Sequence, residues 1–257
     1  MQRRVSDFLG IKIDVLGTEG LFYRLVDFVE EGGPRKVMYL NAHCAVIAKK
    51  DLRYKRVLNR SDLVYADGMS IVWGARLLGA RIPERSTGAD FLPNFCEGFA
   101  ERGYRIYFLG SEPGIAEKAA GKLRERIPNL QIVGTHHGFF TPEEEDRVLE
   151  DIARTKPHIL IVGMGVPYQE QWIDVQCERL NVPVIWGVGA LFDFISGELT
   201  RGPQWLVDNG FEWLCRLCVE PGRLWQRYLV GNMKFAWYLF SYKMCKRNGS
   251  SRPTEIA

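Results

Sequence analysis

The sequence is short of the features by which a chain of this size usually declares its chemistry. Its 257 residues contain no run approaching eighteen apolar residues, so no helix of it is expected to span a bilayer. Neither an internal repeat nor a low-complexity tract is present, which excludes a solenoid and a long linker. There is no D-x-D motif, and its 4 histidines have no Asp, Glu or Cys partner at ligand spacing, so no metal centre and no resident cofactor are expected. G-x-G-x-x-G and the G-K-S/T of a P-loop are also missing, which removes dinucleotide and Walker sites. The basic start MQRRVSDFLGIKID breaks up its apolar residues with charges before a signal-peptide core can form, and a cytoplasmic location is expected.

The 6 cysteines are scattered, without the spacing of a disulfide framework. Cys215 and Cys218 form a C-x-x-C, but two further zinc ligands are lacking, and EWLCRLCVE reads as helix interior rather than as the strand-to-helix turn of a redox pair. They read as two buried helical thiols.

With 46% hydrophobic and 25% charged residues, the chain can bury a sizeable core. Its net charge of +3 hides an asymmetry: residues 211–252 hold eight Lys/Arg against two Glu, +6, which leaves 26 basic against 29 acidic residues elsewhere. The same tail is aromatic, with Phe211, Trp213, Trp225, Tyr228, Phe235, Trp237, Tyr238, Phe240 and Tyr242 among Arg216, Arg223, Arg227, Lys234, Lys243, Lys246 and Arg247. Ring bodies in a headgroup layer and basic heads against anionic lipid would use that mixture, so an anionic membrane surface is an expected partner.

Short β-rich runs alternate with helix-period segments. Strands are expected at residues 37–41, 63–66, 105–109, 131–134, 158–162 and 184–187, and helices at 42–58, 69–78, 90–102, 115–126, 142–154 and 169–180. Runs such as ILIVG and VIWGVG are apolar throughout, which suits strands covered on both faces. The fold class is therefore α/β, a doubly wound, mainly parallel, Rossmann-like sheet over residues 1–204, followed by a helical, membrane-associating appendage over 205–257 with Pro221 marking a break.

In such sheets ligands bind beyond the carboxyl ends of the strands. Polar and glycine residues gather there: Asn41, Ala42 and His43; Asp67 and Gly68; Gly110 and Ser111; Gly163, Gly165 and Gln169; Gly187, Gly189 and Asp193. The turns FLGSEPG, VGMGVPYQE and WGVGALFDF each lead into a helix, where bare backbone and N-terminal amides suit a phosphate-bearing ligand as well as they suit tight packing. Asp67 ends an apolar strand, as a helix cap or as a half-buried general base. Asn41 is equally a cap or a donor to sugar hydroxyls, and Arg85 and Gln169 stand in loops by strand ends, where Arg85 is a surface charge or a phosphate ligand.

These stretches, AKKD after Asn41-Ala42-His43, SDLVYADGMSIVW, RSTGADF, FLGSEPG, ILIVGMGVPYQEQW, GVGALFDFISG and GFEWLCRLCVEPGRLWQRYL, occur in the order of the WecG/TagA/CpsF family of bacterial glycosyltransferases, which the sequence resembles over residues 37–229. The resemblance implies an inverting transfer of a sugar from a UDP-sugar to a polyprenyl-diphosphate-linked sugar at the inner membrane face. Its best-known activity adds N-acetylmannosamine on the way to wall teichoic acid; others add N-acetylmannosaminuronic acid or glucose to surface polysaccharides. It also implies Asp67 as base, Arg85 and Gln169 at the sugar-nucleotide and acceptor site, and tail helices at the membrane. Tyr39 departs from the Thr frequent two residues before the motif asparagine. A non-catalytic sugar-nucleotide-binding protein at the membrane is the reading from a different class; a nucleic-acid partner is disfavoured because the basic charge lies on an amphipathic tail. Self-association is left open.

Overall fold

A computed structural model describes residues 3–200, 202–208, 212–219 and 221–247. Gly210, Phe211, Glu220 and residues 248–252, which belong to the motifs and tail named above, lie outside the described residues.

Strands β3 (Arg35–Leu40), β4 (Leu63–Ala66), β5 (Arg105–Gly110), β6 (Gln131–His136), β7 (Ile159–Gly163) and β8 (Val184–Gly187) form one sheet in the order β4-β3-β8-β7-β5-β6, with every neighbouring pair parallel. β4, β7 and β8 are buried along their whole lengths, the burial on both faces that their unbroken apolar runs imply. The expected α/β, doubly wound class is the class found, and all six expected strands are present, within two residues at each end.

The helices follow local rules. Helix α7 (Pro142–Thr155) starts on a capping box: Thr141 N donates to Glu144 Oε2 at 2.8 Å and Pro142 takes a first-turn position where no amide partner is needed. The single helix expected over 42–58 is two, α2 (Ala42–Lys50) and α3 (Leu52–Arg60), because Asp51 takes an extended backbone and its carboxylate accepts from Arg53 N and Tyr54 N, starting a new helix. An antiparallel hairpin, β1 (Val5–Phe8) and β2 (Ile11–Asp14), precedes helix α1 (Thr18–Glu31); the hairpin turns at Leu9-Gly10, both at positive φ. The remaining core helices are α4 (Met69–Leu77), α5 (Gly88–Glu101), α6 (Ile115–Arg126), α8 (Tyr168–Leu180) and α9 (Leu191–Ser196).

After the sheet come α10 (Gln204–Asp208), α11 (Glu212–Val219), α12 (Pro221–Trp225), a π-helical turn (Gln226–Val230) and α13 (Gly231–Arg247). Pro221 opens α12, and Glu220, where the expected break would fall, lies outside the described residues. Helix α13 packs on α2 and α4, where Phe235 and Leu239 are buried and the Phe8 and Phe235 rings lie 6.2 Å apart. Two such side chains contribute roughly 1.5–3 kcal/mol each by burial, enough to hold the helix on the core. The opposite face exposes Met233, Trp237, Phe240 and Met244 at helical spacing. Among the described residues no helix is long and apolar enough to cross a membrane. The C-x-x-C reading needs correction: Cys215 is half-buried, where a side chain on Gly202 would collide with its sulfur, and Cys218 is exposed, because α11 lies at the surface rather than inside a bundle.

Candidate active site

The register of two strands builds the centre of the site. In the parallel pair β3 and β4, Leu40 lies opposite Ala66, so the next residue of each strand, Asn41 and Asp67, emerges side by side at the carboxyl edge. Asn41 is the cap of α2, with its Oδ1 accepting from Cys44 N at 3.0 Å, and its Nδ2 donates to Asp67 Oδ2 at 3.3 Å. The cap reading of Asn41 is the one seen, and the cap turns its amide toward the Asp67 carboxylate. Asp67 is half-buried and does not hold the cap position of α4; Gly68 does, at φ 89°, a backbone that few other residues adopt.

Asn41 and Asp67 open into a cavity of about 480 Å³ roofed by the tail helices. Arg85 reaches it from the segment before α5, Arg216 from α11 and Arg227 from the π-helical turn, beside His43 and Thr87. Arg85 is only 15% exposed and its Nη2 lies 3.5 Å from Asp90 Oδ2. The Arg216 guanidinium lies over the Phe194 ring at 5.2 Å, which fixes its direction. A π-helical turn adds a residue to the usual helical repeat, a device that re-aims a side chain; Arg227 Nε and Thr87 Oγ1 are buried with no hydrogen-bond partner among the described residues. Burial, with Arg227 nearby, pushes the His43 imidazole down to about 4, so it is neutral at pH 7 and both donates and accepts. The sequence singled out Asp67, Asn41 and Arg85 for this place, but counted Arg216 and Arg227 as tail charges and gave His43, noted beside the strand end, no role.

The other expected site residues do not line this cavity. Gly110 and Gly163 are opposed across β5 and β7, and a Cβ on Gly110 would come within 2.4 Å of Gly163 O. One on Gly163 would meet Gly189 O at 2.8 Å; on Gly187, Gln169 Nε2 at 3.1 Å; on Gly189, Tyr39 Oη at 2.6 Å. These four glycines are filled from within, while Gly165, at φ 83°, has open space where a side chain would stand. Asp193 accepts from Ser111 Oγ at 3.1 Å, tying α9 to the turn after β5. Gln169 is not the loop residue the sequence suggests: it lies in the first turn of α8, fully buried, with Nε2 donating to Glu170 Oε1 and Oε1 accepting from Gly189 N, each at 2.9 Å. Among the described residues no group of three His, Cys, Asp or Glu converges as a metal site would require.

A parallel sheet that presents one carboxylate and several guanidinium groups in a cavity beyond its strand ends has the layout of an open-sheet α/β enzyme acting on an anionic substrate. Residues 6–249 match the glycosyl transferase WecG/TagA/CpsF family, and the chain belongs to it. It is a glycosyltransferase of the hexose-transferring kind. A curated relative, the N-acetylglucosaminyldiphosphoundecaprenol N-acetyl-beta-D-mannosaminyltransferase of Bacillus subtilis (strain 168), is 30% identical over 190 residues, 74% of this chain and 73% of the relative.

Proposed function

We propose that this enzyme transfers N-acetylmannosamine, with inversion, from a UDP-sugar to a polyprenyl-diphosphate-linked sugar in the synthesis of a surface polysaccharide or teichoic acid. The observation that carries the reading is the Asn41–Asp67 pair facing a cavity with Arg85, Arg216 and Arg227 in its lining. Asp67 takes the proton of the acceptor hydroxyl as that oxygen attacks the anomeric carbon, and Asn41 holds its carboxylate in line. The guanidinium groups offset the charge that develops on the departing UDP, strongly so in a half-closed cavity. A metal bridge is not part of this mechanism: Asp67 is the sole carboxylate among the described residues that line the cavity, and cationic side chains take the place of the ion.

Donor sugar and acceptor are carried over from the relative's name, which specifies an N-acetylmannosaminyl group and an undecaprenyl diphosphate acceptor. The turn after β7 at Gly165, open where a side chain would stand, is the proposed seat of the nucleotide, with Ser111 and Asp193. Membrane attachment is peripheral: the exposed Trp237, Phe240, Met233 and Met244 enter the headgroup layer of the inner membrane face.

The test is release of UDP from a panel of UDP-sugars with a polyprenyl-diphosphate-linked acceptor, with and without a chelator. UDP-N-acetylmannosamine is the expected substrate, and chelation is expected to change nothing. Asp67→Asn should keep the fold and lower turnover by about a hundredfold or more. Near-normal turnover in that variant would remove Asp67 as the base, and UDP binding without turnover by any donor would favour the non-catalytic reading. For the membrane, Trp237→Ser with Phe240→Ser in the full chain, followed by sedimentation with anionic vesicles, is a cleaner test than truncation, because the tail also contributes Phe235 and Leu239 to the core.

A further inference from the structure

Directly behind the site lies an acid that the reaction does not use. Glu170 in the first turn of α8 has no exposed surface. Its Oε1 accepts from Gln169 Nε2 at 2.9 Å, and Gln169 Oε1 in turn accepts from Gly189 N at 2.9 Å, so one face of Glu170 leads to the turn after β8. Its other face leads the opposite way. The buried Tyr54 hydroxyl of α3 stands near both Glu170 and the Cys44 thiol of α2, and neither that hydroxyl nor Glu170 Oε2 reaches a hydrogen-bond partner among the described residues. Cys44 is the residue whose N–H is capped by Asn41, the partner of Asp67. A buried acid with one oxygen engaged and the other aimed at a hydroxyl is costly in a core unless it serves geometry.

We propose that Glu170 is a positioning residue, which through Gln169 and Tyr54 keeps the Gly189 turn and the Asn41–Asp67 pair in fixed relation. The inference deepens the glycosyl-transfer reading and rests on it only for its kinetic arm. Protonated, the acid can accept from Gln169 and donate to Tyr54 at once; ionised, it loses the donor and carries a charge into an apolar place. The titratable groups that face it are Tyr39 of β3, Cys44 of α2 and Tyr54 of α3, all pushed up by burial and by its charge, so none supplies a compensating cation. Burial raises Glu170 itself to about 7, which keeps a substantial protonated fraction at neutral pH.

The experiment is amide hydrogen exchange in the full chain, read at Gly189 and Cys44 against Phe108 in the middle of the sheet. In Glu170→Ala the first two amides should exchange together, about tenfold faster or more, while Phe108 is unchanged. Glu170→Gln, which keeps the acceptor for Gln169 and a donor for Tyr54, should restore protection. If Glu170→Ala fails to fold, wild type and Glu170→Gln are compared at pH 6 and pH 8, after correction for intrinsic exchange: wild type should lose protection at the two amides at the higher pH, and the Gln variant should not. Unchanged protection in Glu170→Ala, loss at Gly189 without Cys44, or equal pH response of wild type and Glu170→Gln would overturn the proposal. In the kinetic arm kcat should fall about tenfold in Glu170→Ala with KM held, and the pH dependence of kcat should flatten in Glu170→Gln. Absence of any sugar transfer by wild type would sink the transfer reaction and leave the exchange result to decide the role of Glu170.

Discussion

The carboxyl edge of the sheet has two halves that solve opposite problems. Over β5, β7 and β8 the backbones close on one another: Gly110, Gly163 and Gly189 are stacked so tightly that each lacks room for a Cβ. Over β3 and β4 the edge stays open, with Asn41 and Asp67 beneath a cavity that the tail roofs. Glycine means different things in the two halves. In the closed half it removes side chains so that strand ends and helices meet; at Gly68 in the open half it supplies a backbone conformation that lets α4 start just after the acid. A pattern of glycines after strands does not distinguish a ligand cradle from a packing joint, whereas paired polar side chains at equivalent positions of adjacent parallel strands point to a site.

The largest expected effect is in the closed half. Gly110→Ala must abandon φ 150° and push its methyl against the Gly163 backbone, 2.4 Å away, and neither neighbour is a flexible side chain. Strain and overpacking together should cost roughly 3–5 kcal/mol, read as a fall in the denaturation midpoint. A loss below about 1 kcal/mol would mean that the closed half is looser than the stacking implies.

That contrast also explains what was legible in the sequence. The strands were readable because burial on both faces demands unbroken apolar runs such as ILIVG, and the α7 start because Thr141, Pro142 and Glu144 act within one turn. The β1–β2 hairpin and α1 escaped because their short segments mix charge with apolar residues, and the split of α2 from α3 turns on the backbone of the single residue Asp51. In the site, Asp67 and Asn41 were legible from strand ends, since register needs no long-range knowledge beyond parallel pairing. Arg216 and Arg227 were not, because a basic side chain in an aromatic tail reads the same whether it faces lipid or folds back over the sheet; His43 was visible at a strand end, but the tail arginine that bears on it was not.

A second break in the comparison comes from pH, through Glu170 between the halves. Its folded value of about 7 lies above the ordinary 4.5, so the native state holds more protons than the unfolded chain in that interval and stability falls as pH rises through it. The loss reaches about 3 kcal/mol above pH 7 and is absent below pH 4.5, where both states are protonated. Glu170→Gln should remove this slope in urea melts at pH 5, 6, 7 and 8; an identical slope in the variant would place its origin elsewhere.

The open half is sharpened by Arg227→Ala. Losing one charge-assisted contact to the UDP diphosphate should weaken UDP binding by about 2 kcal/mol, roughly thirtyfold, in calorimetry. The melting temperature should move little, since its Nε has no partner among the described residues to lose. Unchanged UDP affinity would move the diphosphate away from the tail and toward the glycine turns.

The smallest effect decides what the closed half does besides pack. Gly165 is the one expected site glycine of that half with nothing within 4 Å of the position a Cβ would take, so Gly165→Ala meets only the backbone strain of φ 83°. That strain costs about 1 kcal/mol, a fall in melting temperature of roughly 2–4 °C for a chain of this size. A nucleotide seated on the turn after β7 needs the bare backbone for its approach, and the added methyl should then cost about tenfold in UDP affinity, more than the stability change accounts for. Full UDP affinity in a variant destabilised by about 1 kcal/mol would instead make Gly165 a turn residue alone, confine the ligand to the open half beside Asp67 and Arg227, and leave the closed half as the joint that holds the edge together.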